Sequence, residues 1–79
     1  MISLFRRWIP VSKRLPKNGE TVLVCDAYGE ITDGYHDDFR GGMWWIGLGG
    51  EMNWSDEDGR IVAWMPLPKP YKGVKHEED

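Results

Sequence analysis

The pattern tryptophan, aliphatic or Met, proline, aliphatic occurs twice in this chain, as Trp8-Ile9-Pro10-Val11 and as Trp64-Met65-Pro66-Leu67. Proline has no backbone N–H to give to a neighbouring strand, so it belongs on edge strands or at strand ends. Two such segments, one near each end of 79 residues, are therefore candidates for the first and last strands of one sheet. They are expected to lie side by side, with Trp8 and Trp64 covering one end of the core. The repeat alone does not separate that arrangement from coincidence in a chain with five tryptophans.

The stretch between them reads as strands joined by turns. Thr21-Val-Leu-Val-Cys-Asp26 is a β-branched and aliphatic run, and Ile31 to His36 follows it after the turn Ala27-Tyr-Gly-Glu30. Runs of this kind, bounded by Gly, Asp and Pro, are strand signals. Gly34 weakens the second run or marks a bulge. Met43 to Leu48 forms a third run, residues 49 to 59 read as a long loop ending in an Asp-Gly turn, and Ile61 to Met65 forms the last strand. Upstream, Ser12 is placed to cap one helical turn that Pro16 ends. No stretch keeps a helical period beyond two turns. The fold expected is mainly β: a small single-domain antiparallel sheet of four to five strands, with at most one short helical turn. Residues 1–70 form the domain and 71–79 a charged, fraying tail.

A domain this short buries only about 60% of its unfolded surface. Rings of roughly 150–250 Å² each make up for that, and the chain has five Trp, three Tyr and two Phe. Adjacent strand residues point to opposite faces, so Trp44 is expected in the core beside Ile46, and Trp45 outside it as an aromatic anchor for a partner. The single cysteine, Cys25, excludes an internal disulfide and a Cys-based zinc site. Met1 to Phe5 precedes Arg6-Arg7, the wrong order for a secretory signal, and no apolar run approaches the ~20 residues of a membrane span. A soluble, cytoplasmic protein is expected.

Charge is unevenly spread along the chain. Residues 1–19 carry Arg6, Arg7, Lys13, Arg14 and Lys17 and no acid, whereas residues 20–60 carry ten acids against Arg40 and Arg60. The acidic stretch is the informative surface feature. Asp37, Asp38, Glu51, Asp56, Glu57 and Asp58, with Trp45, are the expected partner-binding residues, steering a basic partner to an acidic surface.

Trp8 to Pro16 ("WIPVSKRLP"), Gly19 to Val24 ("GETVLV"), the aromatic middle and Trp64 to Pro70 ("WMPLPKP") together resemble the domain of unknown function 551 family. The resemblance covers about residues 8 to 70; the acidic segment 49–59 and the tail depart from the pattern. It implies a compact β-rich fold and a bacteriophage or prophage setting, hence the cytoplasm of a host bacterium. It implies no catalytic residue.

No constellation of catalytic side chains converges by spacing. Turning the 21–36 hairpin about Tyr28-Gly29 pairs residues whose numbers sum to 57 or 58. Cys25 then faces Thr32 or Asp33, out of reach of His36, and reads as a buried, inert thiol. His76 sits in the charged tail and reads as solvated. A calcium loop aligned on Gly59 would need an acid at Trp54 and at Met65, and fails. His36-Asp37-Asp38 points three ways along a strand. No metal, cofactor or enzymatic activity is expected. Direct nucleic-acid binding is disfavoured because the aromatics lie in the acidic stretch. The expected function is a non-enzymatic phage accessory protein acting by protein binding, such as a counter-defence inhibitor of a nuclease or other host effector with a basic groove. The alternative is a small-ligand binder that sequesters a nucleotide signal between stacked Trp and Arg6, Arg7 or Arg14. Self-association is compatible with either.

Overall fold

The computed structural model describes residues 7–47 and 49–68. Six strands form one antiparallel sheet: β1 (Ile9–Pro10), β2 (Val22–Asp26), β3 (Ile31–Asp37), β4 (Met43–Ile46), β5 (Met52–Ser55) and β6 (Ile61–Pro66). Their order across the sheet is β1-β6-β2-β3-β4-β5. Among the described residues the helical content is two 3-10 turns, Phe39–Gly41 and Asp56–Asp58. The strand count exceeds the expected four to five because the segment read as a long loop contains β5. Met52-Asn53-Trp54-Ser55 has little intrinsic strand preference, and pairing with β4 supplies what propensity lacks. The tail beyond residue 70 lies outside the described residues.

The two proline-bearing segments are neighbours: Ile9 pairs with Trp64 and Pro10 with Ala63. Pro10 sits on an edge strand and Pro66 ends β6, as the missing N–H requires. The register corrects the role given to Trp8. Directly paired residues share a face, so Ile9 packs with Trp64 and Trp8 turns to the other side. Trp64 is core at 4% exposure, whereas Trp8 is half-buried and outside the core cluster. The hairpin register differs as well: Cys25 pairs with Ile31 and Val22 with Gly34. The tight turn is closed by Gly29 N–H donating to the Asp26 carbonyl. Cys25 is half-buried rather than buried, on the face opposite His36. Upstream, the turn at 11–13 is closed on Pro10, whose carbonyl accepts from Lys13 and Arg14, two residues before the expected Ser12 cap.

Chain length forces the sheet to curl. β5 and β6 stand four places apart, about 19 Å in a flat sheet with roughly 4.8 Å between strands. Residues 56–60 join them while making a 3-10 turn and a left-handed bend at Gly59, so that link is far short of its extended reach. The sheet therefore bends about it, bringing the Trp54 ring of β5 to 4.4 Å from the Arg60 guanidinium at the start of β6. The concave face holds the core of Val22, Val24, Trp44, Ile61 and Trp64, with Ile9, Val11, Ile46 and Trp54 packed against it. Residues 11–19 cross this face as a second strap. The Trp64 indole N–H donates to the Arg14 carbonyl at 2.9 Å, and Pro16 is buried. A bulge where Asp26 pairs with Ile61 and Cys25 with Ala63 leaves Val62 unpaired with β2, so that both Ile61 and Trp64 face inward.

Gly34 is not a bulge. It is buried in the middle of β3, where an added Cβ would meet the Trp45 carbonyl oxygen at 2.5 Å, so close strand approach demands glycine.

Trp44 is 2% exposed and Trp45 half-buried, on opposite faces as the alternation requires. Trp44→Ala should cost about 3–5 kcal/mol by opening a core cavity. Trp45→Ala should cost less, about 1–2 kcal/mol, because its ring stands outside the core cluster and is only partly buried. Urea unfolding of both variants checks the difference.

Candidate functional site

The convex face of the sheet is the less protected one. Leu23, Cys25, Tyr35, Met43, Trp45 and Met65 alternate with the core residues and are all partly exposed. Trp45 is the centre of an aromatic group there. Its ring lies 6.3 Å from Tyr35 and 6.1 Å from Phe39, which is 50% exposed. The indole N–H donates to the Asp37 carboxylate at 3.2 Å, and the same oxygen accepts from the Phe39 backbone N–H. Asp37 thus fixes both the ring and the turn that carries Phe39. Asp38 follows at the sheet's end, where its carboxylate accepts from the Asn18 side chain. The fold therefore brings Trp45 and Asp37 together, while the Asp38 carboxylate is held by Asn18 of the 11–19 strap.

It separates the other expected partner-binding acids from them. Glu51 precedes β5 and is exposed; Asp56, Glu57 and Asp58 form the strap across the concave face. Two of these three have structural work. The Asp56 carboxylate accepts from His36 Nε2 at 3.0 and 3.1 Å. Asp58 accepts from the Ser55 N–H while Ser55 Oγ accepts from Glu57, a reciprocal cap on the 3-10 turn. Neutralising all three would therefore disturb the fold. The basic N-terminal stretch is not set apart in space from the acids. Its strap lies beside the acids: Leu15 and Asp56 line one cleft of about 170 Å³, and Asn18 bonds Asp38. Arg6 lies outside the described residues.

His36 is the buried polar group that sequence spacing did not interpret. It is 3% exposed, edge-on to Trp44 at 4.8 Å, and its Nδ1 has no hydrogen-bonding partner among the described residues. Gly42 leaves the room this pair needs, since a Cβ there would collide with the Asp56 carboxylate. The His36–Asp56 pair ties the strap to the sheet. Asp26 anchors the other end. Its carboxylate accepts from the Tyr28 and Glu30 N–H groups at 2.9 Å and from Arg60 Nε at 3.2 Å. Arg60 in turn lies over Tyr28 at 5.0 Å as well as over Trp54. The Glu30 N–H chiefly holds the Asp26 carboxyl below its ordinary pKa. Burial opposes the shift, and Tyr28 and Arg60 reinforce it.

For a stacked ligand, Trp44 and Trp64 offer no open ring face, and the Arg14 guanidinium is already over Trp64 at 5.6 Å. Among the described residues no group of three or more His, Cys, Asp and Glu is placed to hold a metal, and no helix is long and apolar enough to cross a membrane.

Asp56→Ala should destabilise by about 1–3 kcal/mol, because it leaves the buried imidazole with neither nitrogen bonded. Glu57→Gln should change stability by less than about 0.5 kcal/mol. A cycle with His36→Ala, read by urea unfolding, should show coupling for Asp56 and none for Glu57. For Asp26→Asn the sign follows from the depressed pKa. The pH-dependent part of wild type's advantage is full above the unfolded value of about 3.9 and vanishes as the pH falls through the native one. Unfolding midpoints measured from pH 6 down to pH 2 check it.

Neither a curated protein nor a solved structure matches the chain significantly. A family model does, over residues 7–72, which spans both Trp-x-Pro-x segments and every strand described above. The chain belongs to the family described as protein of unknown function (DUF551).

Proposed function

We propose that this chain is a non-enzymatic protein-binding module that docks through its convex face. The observation that carries the reading is the partly exposed Trp45, framed by Tyr35 and Phe39 and oriented by Asp37. A buried aromatic anchor with a polar rim is the arrangement on which binding energy concentrates at interfaces. Here the rim is acidic through Asp37, so the partner that fits is one with a basic group beside an apolar pocket. The phage or prophage setting implied by the family resemblance narrows this to a counter-defence inhibitor acting in a host cytoplasm. That narrower role rests on the same face.

The test is capture from a bacterial lysate on immobilised wild type and immobilised Trp45→Ala in parallel. A partner held by wild type should be lost, at least tenfold, from the variant, since truncating an interface anchor costs about 2 kcal/mol or more. It should also elute as salt rises, because rim charges are screened. Equal retention by both proteins would sink the proposal.

A further inference from the structure

The two edges of the sheet are built differently. The β1 edge is two residues long and carries Pro10, which blocks pairing. The β5 edge has four residues without proline, lysine or bulge, and among the described residues no strand pairs with its outer side. Ladder parity shows which groups that edge presents. Gly47 N–H donates to Asp33 O in the β3–β4 ladder, and Asp56 N–H to Gly42 O in continuation of the β4–β5 ladder. In antiparallel pairs, hydrogen-bonded and non-bonded positions alternate. Trp54 and Met52 therefore bond to β4, while Asn53 turns both its N–H and its carbonyl outward. The Ser55 N–H also points outward and is taken by Asp58. Asn53 is exposed, and its side chain lies on the convex face directly beside Trp45.

Charge decides what can add there. Glu51 stands at one end of β5, and Asp56, Glu57 and Asp58 at the other. A second copy pairing antiparallel through β5 would set Glu51 of each chain against the acids of the other, and like charges opposed across strands are unfavourable. An extended basic segment meets no such penalty. We infer that β5 is a strand-addition site, taking an extended lysine- or arginine-bearing segment of a partner protein through the main-chain groups of Asn53. The inference rests on the protein-binding reading of the convex face and assigns it a mode: main-chain bonds along the edge, with alternate side chains of the added strand continuing the convex face.

The test uses an acetylated octapeptide of alternating lysine and valine, its glutamate–valine counterpart, and the ¹⁵N-labelled chain. The lysine peptide should bind and slow exchange of the Asn53 amide. Asn53→Ala, which keeps the N–H, should bind like wild type. Asn53→Pro removes an N–H that β4 does not use, so it should retain the native spectrum while binding roughly tenfold or more weakly. Absence of binding, binding without protection of Asn53, or equal binding of the glutamate peptide would overturn the inference. So would a concentration-dependent dimer that protects Asn53 in the absence of peptide. Lysate capture lost in Trp45→Ala but kept in Asn53→Pro would overturn the edge alone and leave the docking face standing. Capture kept in both would end both.

Discussion

The shape of this molecule depends on a chain-length constraint. Residues 56–60 must join strands that stand four places apart in the sheet, and that stretch spends part of its length on a 3-10 turn. A flat sheet cannot satisfy it, so the sheet curls and acquires two unlike faces. The inner one collects Trp44, Trp54 and Trp64 and is crossed by two straps. The outer one has alternate residues left in partial contact with water. Each strap is fixed by polar contacts as well as by apolar ones. Trp64 bonds the Arg14 carbonyl, Asp56 bonds His36, and Arg60 bonds Asp26 while covering Trp54. For a domain too small to bury much surface, such contacts hold loops over the core that a larger protein would cover with a helix.

The same straps redistribute the acidity. Of the acids concentrated in the middle of the chain, Asp26, Asp37, Asp56 and Asp58 accept hydrogen bonds that position turns, rings or the buried imidazole. Glu51 and Glu57 remain exposed at opposite ends of β5. An acidic stretch of sequence thus becomes an acid-flanked edge strand beside an aromatic face, a more specific surface than a uniform negative patch.

What the sequence determined by itself was local or periodic. Proline's missing donor sent residues 8–11 and 61–67 to an edge and a strand end. Strand alternation put Trp44 inside and Trp45 outside, and β-branched runs marked β2, β3 and β6. The tertiary structure decided whatever depended on residues distant in sequence. β5 exists because β4 pairs with it, although Met52-Asn53-Trp54-Ser55 is a poor strand on its own. The shift of one or two positions in the hairpin moved Cys25 opposite Ile31, because the turn closes on Asp26 and Glu30, and sequence alone does not choose between neighbouring registers. Trp8 and Trp64, identical in local motif, part company because their pairing partners place them on opposite faces. His36 and Asp56, twenty positions apart, meet only because the β5–β6 link crosses the concave face. Composition records how much aromatic and acidic material a chain contains; only chain closure through space decides which of it is covered, which is bonded and which is left exposed.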